Sequence, residues 1–468
     1  MGRSSLFRAA FIGFLGLGCT ASHAAGDSVE RNAIERGKYV AIAADCAACH
    51  TLKGGKPYAG GLGITSPVGT MYASNITPSK QFGIGQYTEK QFFDAVRHGI
   101  RRDGRNLYPG MPYTSYALLT DEDIHFLYVY IMQGIAPVDE PSPETDLPFP
   151  MNLRISMAGW NLLFLSSHPY APDASKSAQW NRGRYLAEGA AHCSTCHSPR
   201  GLLMQEKKGS ALSGGFVGPW FAPNITSDRI SGIGLWQHAD LVRYLRSGHV
   251  GGKAQAAGSM GEAVEYSFQH LTGDDLDAIA TYIQTVPGVR DASENVSRFQ
   301  LGAAKSQVAA FRGTAPSEKS PGAQLFQGNC ASCHLYDGQG TRDGYYPSLF
   351  HNSATGHSKP TNLIAVILNG VNRSTVSGQV YMPAFGGNPN DLNALSDAQI
   401  AALANYVLSA YGNGDPSVTA DDVSVVRQGG PRPHLVAAAR VGMAMAALAV
   451  AGTIALLVRR RRRHMRQR

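Results

Sequence analysis

Cysteine is scarce in this chain and is almost confined to one repeated pattern. Of seven cysteines among 468 residues, six belong to three C-x-x-C-H motifs, spelled DCAACH, HCSTCH and NCASCH. The pairs are Cys46 and Cys49, Cys193 and Cys196, and Cys330 and Cys333. A histidine follows every pair, namely His50, His197 and His334. The chain therefore repeats one arrangement of two thiols and an imidazole three times.

The body of the chain also lacks a surplus of basic charge. Nine of the 42 lysines and arginines lie at the ends, as Arg3, Arg8 and seven arginines among the last ten residues. The others balance the 34 acidic residues, so the net charge of +8 belongs to the termini. This argues against a basic surface for nucleic acid, and no nucleic-acid partner is expected. Charged ends are typical of targeting and topology signals.

Fingerprints of substrate chemistry are missing as well. The sequence contains no glycine-rich dinucleotide motif, no P-loop and no convincing pair of nucleophile and base. Nothing in it predicts that an organic substrate is oxidised on this chain. Any electrons that the protein handles must then come from another subunit.

Long apolar runs are limited to the two ends of the chain. Near the N-terminus, residues 9–18 are apolar, and Ser22-His23-Ala24 fits the small-x-small pattern of a cleavage site. This pattern predicts a secretory signal peptide over 1–24, because ten apolar residues are too few for an uncleaved anchor. A lipoprotein signal at Cys19 is the alternative, and Gly16 disfavours it, since a large aliphatic residue is expected there.

The C-terminus predicts one transmembrane helix over 435–458. Val441–Val458 contains no charge and would span roughly 27 Å as a helix, enough for the hydrocarbon core. Five consecutive arginines follow, so the tail 459–468 is expected in the cytoplasm and the body of the protein in the periplasm. The alternative is an alanine-rich helix buried in the protein core. The five consecutive arginines disfavour it, because so many charges are unsuitable next to a core.

Three chemistries compete for the C-x-x-C-H motifs. Disulfide bridges suit an exported chain with an even number of cysteines but leave the histidines unexplained. Zinc needs four ligands, and each motif offers three adjacent ones with no second pair nearby. Covalent haem c uses both thiols as thioethers and places the next histidine on the iron. The motifs therefore predict three covalently bound haem c groups, with His50, His197 and His334 as iron ligands.

Internal repeats surround the motifs. RGKYVAIAADCAACH (36–50) matches RGRYLAEGAAHCSTCH (182–197), SNITPSK (74–80) matches PNITSDR (223–229), and a shorter third copy begins at GAQLFQGNCASCH. Each copy closes with an N-cap hydroxyl, an acid or amide three residues on, and an apolar stripe with helical spacing. The three hydroxyl residues are Thr120, Thr272 and Ser396.

These patterns predict an all-α fold of three tandem domains that resemble small class I cytochromes c, plus one C-terminal transmembrane helix. In each domain the last helix is expected to pack back on the first. The predicted order is signal peptide 1–24, domain one 25–135, linker 136–175, domain two 176–290, linker 291–317, domain three 318–412, linker 413–434, transmembrane helix 435–458 and tail 459–468.

The sixth iron ligand is expected in the loop before each last helix. Met111, Met260 and Met382 lie there, 61, 63 and 48 residues after their histidines, which fits two long copies and one short copy. Met71 has no counterpart in the second copy and is interpreted as core packing. The competing ligands occupy no place common to all copies; they are His98, His125, His249 and His270. Ligation by histidine and methionine leaves no open iron position, so it predicts single-electron transfer without bond chemistry.

The middle of the first linker, Met151 to Leu165, is unusually apolar and includes Trp160. Packing between the haem domains is one explanation. Contact with a partner subunit or with the membrane surface are the other two.

Over nearly its whole length the chain resembles the trihaem cytochrome c subunit of membrane-bound dehydrogenases of acetic acid bacteria. The residues that carry the resemblance are AIAADCAACHT (41–51), SNITPSK (74–80), RRDGRNLYPGMPY (101–113), NRGRY (181–185), DGYYPSL (343–349) and MPAFG (382–386). The C-terminal helix followed by arginines is most similar to the subunit of fructose, gluconate and sorbitol dehydrogenases.

The resemblance implies a relay from a catalytic partner subunit to ubiquinone in the inner membrane. That partner is a flavoprotein, a quinoprotein or a molybdopterin protein that oxidises a sugar, sugar acid, alcohol or aldehyde, and a small third subunit is a further candidate. No motif for a quinone site can be matched. The alternative function is a multihaem peroxidase or a free relay to a terminal oxidase.

Overall fold

Three helical units, each containing one C-x-x-C-H motif, make up the body of the protein. The computed structural model describes residues 18–66, 69–166, 168–305, 320–389, 391, 393–432 and 435–466, so most of the predicted signal peptide lies outside it. The units are named one, two and three after the order of their motifs along the chain.

Unit one begins with a long helix and ends with a helix that returns to it. Its elements are α1 (Gly18–Ala43), α2 (Cys46–His50), β1 (Gly63–Ser66), β2 (Gly69–Tyr72), α3 (Glu89–His98), α4 (Tyr113–Tyr116) and α5 (Asp121–Val129), which a π-helical turn (Tyr130–Gly134) continues. A separate helix, α6 (Ser156–Phe164), lies between units one and two.

Unit two repeats this order with one added hairpin, β5–β6. Its elements are α7 (Ala178–Arg184) with a π-helical turn (Tyr185–Ala190), α8 (Cys193–His197), β3 (Gly215–Val217), β4 (Trp220–Ala222), α9 (His238–Ser247), β5 (His249–Val250), β6 (Ala254–Gln255), α10 (Gly258–Tyr266) and α11 (Gly273–Ile283). Short 3₁₀ turns occur at Lys208–Ser210, Phe268–His270 and Arg298–Gln300.

Unit three is shorter, and one long helix follows it. Its elements are α12 (Pro321–Asn329), α13 (Ala331–His334), α14 (Thr361–Asn369), β7 (Val371–Thr375), β8 (Gly378–Met382), α15 (Asp397–Tyr411) and α16 (Ala420–Arg427), and the last helix is α17 (Leu435–Arg466).

In each unit the first helix crosses the last at a glycine, which confirms the expected packing of chain ends. α1 packs on α5, α7 on α11 and α12 on α15. A Cβ atom on Gly37 or Gly183 would lie 1.9 Å from a backbone oxygen of the partner helix, and one on Gly322 would lie 2.2 Å away. Only glycine lets the two backbones approach this closely.

The predicted N-caps are present at all three closing helices. The hydroxyls of Thr120, Thr272 and Ser396 accept hydrogen bonds from the backbone N–H three residues on. The full reciprocal capping box forms only at Ser396 and Gln399. In the first two units the acid at that position serves another purpose, described below.

The all-α prediction describes the framework but omits the antiparallel two-stranded hairpins, of which the described residues form four: β1–β2, β3–β4, β5–β6 and β7–β8. In β1 the exposed and half-buried residues alternate, and no residue of β1 or β2 is fully buried. Without a buried face a strand has no need for alternating apolar residues, so the usual sequence signal is absent.

Units one and two share one hydrophobic core, whereas unit three has its own. The first core joins residues such as Leu119 and Ile131 to Leu186 and Leu276. The second contains Val423 and Val426 of α16, residues that fall in the predicted linker 413–434. This stretch of the predicted linker is therefore packed structure and part of unit three.

One helix, within the part of the chain that the structure describes, is long and apolar enough to cross a membrane. It covers Leu435–Arg460, has a mean hydropathy of 2.3, and none of its most apolar stretch is buried against the protein. It includes the predicted span 435–458.

Candidate haem-binding sites

Each C-x-x-C-H motif occupies a single helical turn directly after the first helix of its unit. Asp45 and His192, which precede the first cysteine in units one and two, adopt left-handed backbone conformations with φ of 53° and 39°. This reversal separates the motif from the preceding helix. The thiols of the six motif cysteines are free in the structure, which gives no support to the disulfide alternative.

The structure also gives no support to zinc. Among the described residues, no group of three or more histidine, cysteine, aspartate or glutamate side chains is arranged to hold a metal ion. Burial raises the pKa of Cys46, Cys193 and Cys330 to about 12, so the free thiols are neutral.

The three motif histidines share one hydrogen-bond arrangement. Nδ1 of His50 lies 2.7 Å from the carbonyl oxygen of Ser74, and Nδ1 of His197 lies 2.7 Å from that of Pro223. In unit three the corresponding distance, from His334 to the Pro347 carbonyl, is 2.9 Å. A proton on Nδ1 that is donated to a carbonyl leaves Nε2 as the free ligand atom and fixes the ring orientation.

Burial favours the neutral form of these rings. It lowers the pKa of His50, His197 and His334, although the backbone carbonyl at each ring opposes the shift. Neutral imidazole is the form that binds a metal. Geometry and protonation therefore both suit an axial iron ligand at the three predicted positions.

The repeated Asn-Ile-Thr sequence explains how the carbonyl partners are held. Oδ1 of Asn75 accepts from the N–H and the hydroxyl of Thr77, and its amide donates to the Val138 carbonyl. Asn224 makes the same bonds with Thr226 and Val289. Each asparagine follows the residue whose carbonyl orients the histidine. The sequence repeat pointed to this segment, but its role became clear only from the contacts.

A cavity of about 540 Å³ joins the motifs of units two and three. Its wall includes both cysteines and the histidine of each motif, together with Met260 and Met382. The remaining lining is largely apolar, with residues such as Phe268, Ile279 and Leu403. Two of the three predicted histidine and methionine pairs are thus brought to one space, which no sequence pattern had indicated.

The predicted methionine ligands lie in different kinds of structure. Met111 lies in a loop before α4 and packs against the core of units one and two. Met260 is in the first turn of α10, and Met382 ends β8, so only one of the three lies in the expected loop. Met71 adjoins Gly110, since a Cβ atom there would lie 2.8 Å from the methionine Cε.

The competing histidines have other neighbours. Nδ1 of His125 lies 2.6 Å from Glu89, Nδ1 of His249 lies 2.6 Å from Gln255, and Nε2 of His270 lies 3.1 Å from the Glu265 carbonyl. His98 lies against the Phe93 ring. The four histidines thus lie in four different surroundings, and His249 also lines the cavity shared by units two and three.

Buried polar atoms without protein partners line the shared cavity. Nε1 of Trp236 and Nε of Arg298 make no hydrogen bond within the described chain, although both residues are buried and lie in the cavity wall. Buried donors are normally satisfied, so these two indicate that an acceptor belongs there. A large apolar group with anionic edges, as haem has in its propionates, fits this lining.

Units one and two meet beside their motifs. The Tyr116 ring packs edge-on against His192 at 5.7 Å, and its hydroxyl donates to the Ala44 carbonyl at 2.6 Å. Cys49 and Cys196 are close enough that the second raises the pKa of the first, in addition to the effects of burial, Asp45 and Glu262. All three motifs are therefore grouped near one another within the body.

Comparison with known proteins agrees with this site. The cytochrome c family model matches residues 34–134 and 320–410. The chain is 46% identical to the fructose dehydrogenase cytochrome subunit of Gluconobacter japonicus, over 93% of both chains. It is 39% identical to the gluconate 2-dehydrogenase cytochrome c subunit of Pantoea cypripedii, covering 89% of this chain and 93% of that one.

A third relative is the cytochrome c subunit of the quinone-dependent alcohol dehydrogenase of Gluconobacter oxydans, which is 38% identical over 90% of this chain and 87% of its own. These identities extend over all three units and go well beyond a match of the short motifs. The protein belongs to the family of cytochrome c subunits of dehydrogenases, and this membership supports covalently bound haem c as its cofactor.

Proposed function

We propose that this chain is the trihaem electron-transfer subunit of a membrane-bound dehydrogenase, receiving electrons from a catalytic partner and delivering them to ubiquinone. The observation that carries the proposal is the identical hydrogen bond from motif histidine to backbone carbonyl in all three units. A motif that had lost its haem would have no reason to keep that orientation. When bound, haem c supplies a reversible one-electron couple.

The protein's own residues would hold three such groups in three domains. The thiols that form thioethers are Cys46, Cys49, Cys193, Cys196, Cys330 and Cys333. The iron of each group would be held by His50 with Met111, by His197 with Met260, and by His334 with Met382. The cavity that joins units two and three supports the last two pairs. Methionines that held the irons would keep oxygen and peroxide away from them, which favours a relay over a peroxidase.

A catalytic partner is inferred from what the chain lacks and from its relatives. The relatives are named as subunits of fructose, gluconate and alcohol dehydrogenases. The partner oxidises a small organic substrate, and this chain moves the electrons. We infer that ubiquinone is the acceptor because the apolar helix α17 would hold the chain at the bilayer, in which ubiquinone is dissolved.

The orientation proposed for α17 places the haem units in the periplasm. The arginine-rich end of α17 stays in the cytoplasm, because clusters of basic residues resist translocation. Covalent haem attachment to an exported chain also fits the predicted signal peptide.

The test is to purify the protein in detergent and to weigh the mature chain by mass spectrometry. We expect three haem masses that resist acid-acetone extraction, a dehydrogenase subunit in the same preparation, and haem reduction on addition of that subunit's substrate. Two haems or fewer would contradict the trihaem assignment. A chain that purifies alone and reduces peroxide would contradict the relay.

A further inference from the structure

Helix α6 packs on the body through one face and leaves a second, apolar face that the described residues do not cover. Trp160 and Asn161 face the protein: the indole donates to the Leu203 carbonyl at 2.9 Å, and the Asn161 amide oxygen accepts from Tyr113 at 2.8 Å. No residue of α6 is fully buried. The apolar linker therefore packs on the body through one face only. Packing between the haem units explains the apolar residues on that face but not those on the exposed face.

The other face of α6 is covered by nothing in the described chain. Ile155, Leu162 and Leu163 are 77%, 87% and 68% exposed, and a side chain at Gly159 would meet no atom within 4 Å. These positions follow the i, i+4, i+7, i+8 spacing of one helix face. Single exposed leucines are ordinary, but a contiguous set marks an interaction site.

Neighbouring segments enlarge this face. Phe149 and Leu153 lie just before α6 in the chain and are 51% and 43% exposed. Leu202, 78% exposed, comes from the loop that the Trp160 hydrogen bond ties to α6. We name the set the apolar docking face; it consists of Phe149, Leu153, Ile155, Leu162, Leu163 and Leu202.

The apolar docking face is joined to the candidate membrane helix. Nε of Arg440, the last charged residue before the apolar span of α17, donates to the Phe149 carbonyl at 3.0 Å. The chain reaches that helix by passing the turns of units one and two, since Gly430 packs against Gly218 and Gly429 lies near Thr65. The end of α17 that would leave the bilayer is therefore held beside this face.

Basic side chains surround the same region. The Arg154 guanidinium lies 4.4 Å above the Tyr108 ring and donates to the Asn106 carbonyl. Burial lowers the pKa of Arg154, and the nearby Arg101 and Arg105 lower it further. Asp103 pairs with both of these arginines and offsets part of their charge. Apolar side chains with a basic fringe are the composition of surfaces that bind at anionic lipid headgroups.

We propose that the apolar docking face lies in the bilayer interface beside α17 and holds unit one at the membrane surface. The proposal rests on the membrane anchoring stated under the proposed function. A lipid surface is favoured over a protein partner because the face is continuous with the start of the apolar span and carries the basic fringe. A covering subunit would need neither feature.

The test is the depth of a spin label in the full-length, haem-loaded chain. Leu162→Cys, Leu448→Cys and Val376→Cys are labelled separately and reconstituted into vesicles of phosphatidylglycerol and phosphatidylethanolamine. Leu448 lies in α17, and Val376, 71% exposed, lies in the turn of the β7–β8 hairpin. Collisions with oxygen, which concentrates in lipid, are compared with collisions with a water-soluble nickel complex.

We expect the oxygen-to-nickel ratio at position 162 to approach that at 448 and to exceed that at 376 several-fold. Ile155→Cys should give the same result, which guards against a local effect of one variant. A ratio at 162 equal to that at 376, with 448 in lipid, would overturn this proposal alone. An aqueous ratio at 448 as well would contradict the membrane anchor. Shielding from both reagents only when the catalytic partner is added would show a protein interface and also overturn the proposal.

Discussion

Tyr39 of unit one donates a hydrogen bond of 2.6 Å to the Asp275 carboxylate of unit two. The reverse bond also exists: Tyr185 of unit two donates to Asp123 of unit one. Tyr39 and Tyr185 are equivalent in the sequence repeat, as are the two aspartates. Units one and two therefore meet through a pseudo-symmetric pair of contacts, as two copies of one chain do across a two-fold axis. Asp275 is further bound by Arg182 through two hydrogen bonds of 2.8 Å.

Tyr39→Phe should loosen this contact without disturbing either haem site. The tyrosine hydroxyl bonds to a largely buried carboxylate, and such a bond contributes about 1.5 to 3 kcal/mol. We expect a lower melting temperature with unchanged haem absorbance. The matched control is Tyr72→Phe, because Tyr72 is 39% exposed. Equal melting temperatures for the two variants would show that the contact contributes nothing.

The same contact predicts a pH dependence. Hydrogen bonds from Arg182 and Tyr39 lower the pKa of Asp275 below its ordinary value, although burial acts in the opposite direction. A carboxyl with a lowered pKa in the folded state stabilises the fold above its unfolded pKa of about 3.9 and loses this contribution as the pH falls. Asp275→Asn should therefore flatten the acid limb of melting temperature against pH below about pH 4. An unchanged acid limb would contradict this role.

The asparagines of the repeat should act on the haem sites through the histidines. Asn224→Ala leaves the Thr226 and Val289 backbone groups without their partner, which costs about 2 to 3 kcal/mol. It also loosens the carbonyl of Pro223 that orients His197. We expect three haems by mass and a raised potential for one of them, because a weaker hydrogen bond at Nδ1 makes His197 a less basic ligand. Asn75→Ala is the matched variant and should shift a different haem, so identical titrations for the two variants would contradict this assignment.

Met260→Leu should remove one of three methionine-to-iron contributions to the long-wavelength band of the oxidised protein. It should also lower the potential of one haem, since methionine ligation raises it. Met71→Leu is the control, because Met71 lies beside Gly110 in unit one and is interpreted as packing. An unchanged band in Met260→Leu would show that the ligand in unit two is another residue.

The sequence predicted the parts of this protein that repeat. The three C-x-x-C-H motifs predicted the positions of the histidines. The three N-caps, at Thr120, Thr272 and Ser396, predicted the closing helices. What could not be predicted is where the copies touch. Asp123 and Asp275 read as helix-capping acids, yet their carboxylates bind tyrosines of the neighbouring unit. The N-cap position is a local signal, whereas a partner 62 or 236 residues away leaves no periodic trace in the sequence.

Contacts between units explain the other differences. Trp236 and Arg298 line the shared cavity from two separate segments, and neither belongs to a motif. Arg373 of β7 reaches unit two and donates to the Ala256 carbonyl, a bond between residues far apart in the chain. Similarly, the packing of α16 on unit three could not be seen because Val423 and Val426 lie in a short helix with few apolar positions.

Truncation before Leu435 tests the role of the last helix. The cut removes no residue of either hydrophobic core, since the second core ends at Val426, so the units should still fold and carry haem. We expect the shortened chain to accept electrons from its partner and to pass them to a soluble dye at the normal rate. Its reduction of long-chain ubiquinone in membranes should fall sharply, because the apolar docking face alone gives weak, reversible binding.

A chain that ends after Arg463 is the matched control, because it keeps the whole apolar span and five arginines. It should remain in the membrane fraction after a salt wash and keep its ubiquinone reductase activity. The shortened chain should be released by the same wash, since headgroup attraction is screened by salt. If it resisted the wash, the main anchor would lie outside α17, and the apolar docking face would be the first segment to vary. If it kept full ubiquinone reductase activity, the helix would have no part in delivering electrons to the bilayer.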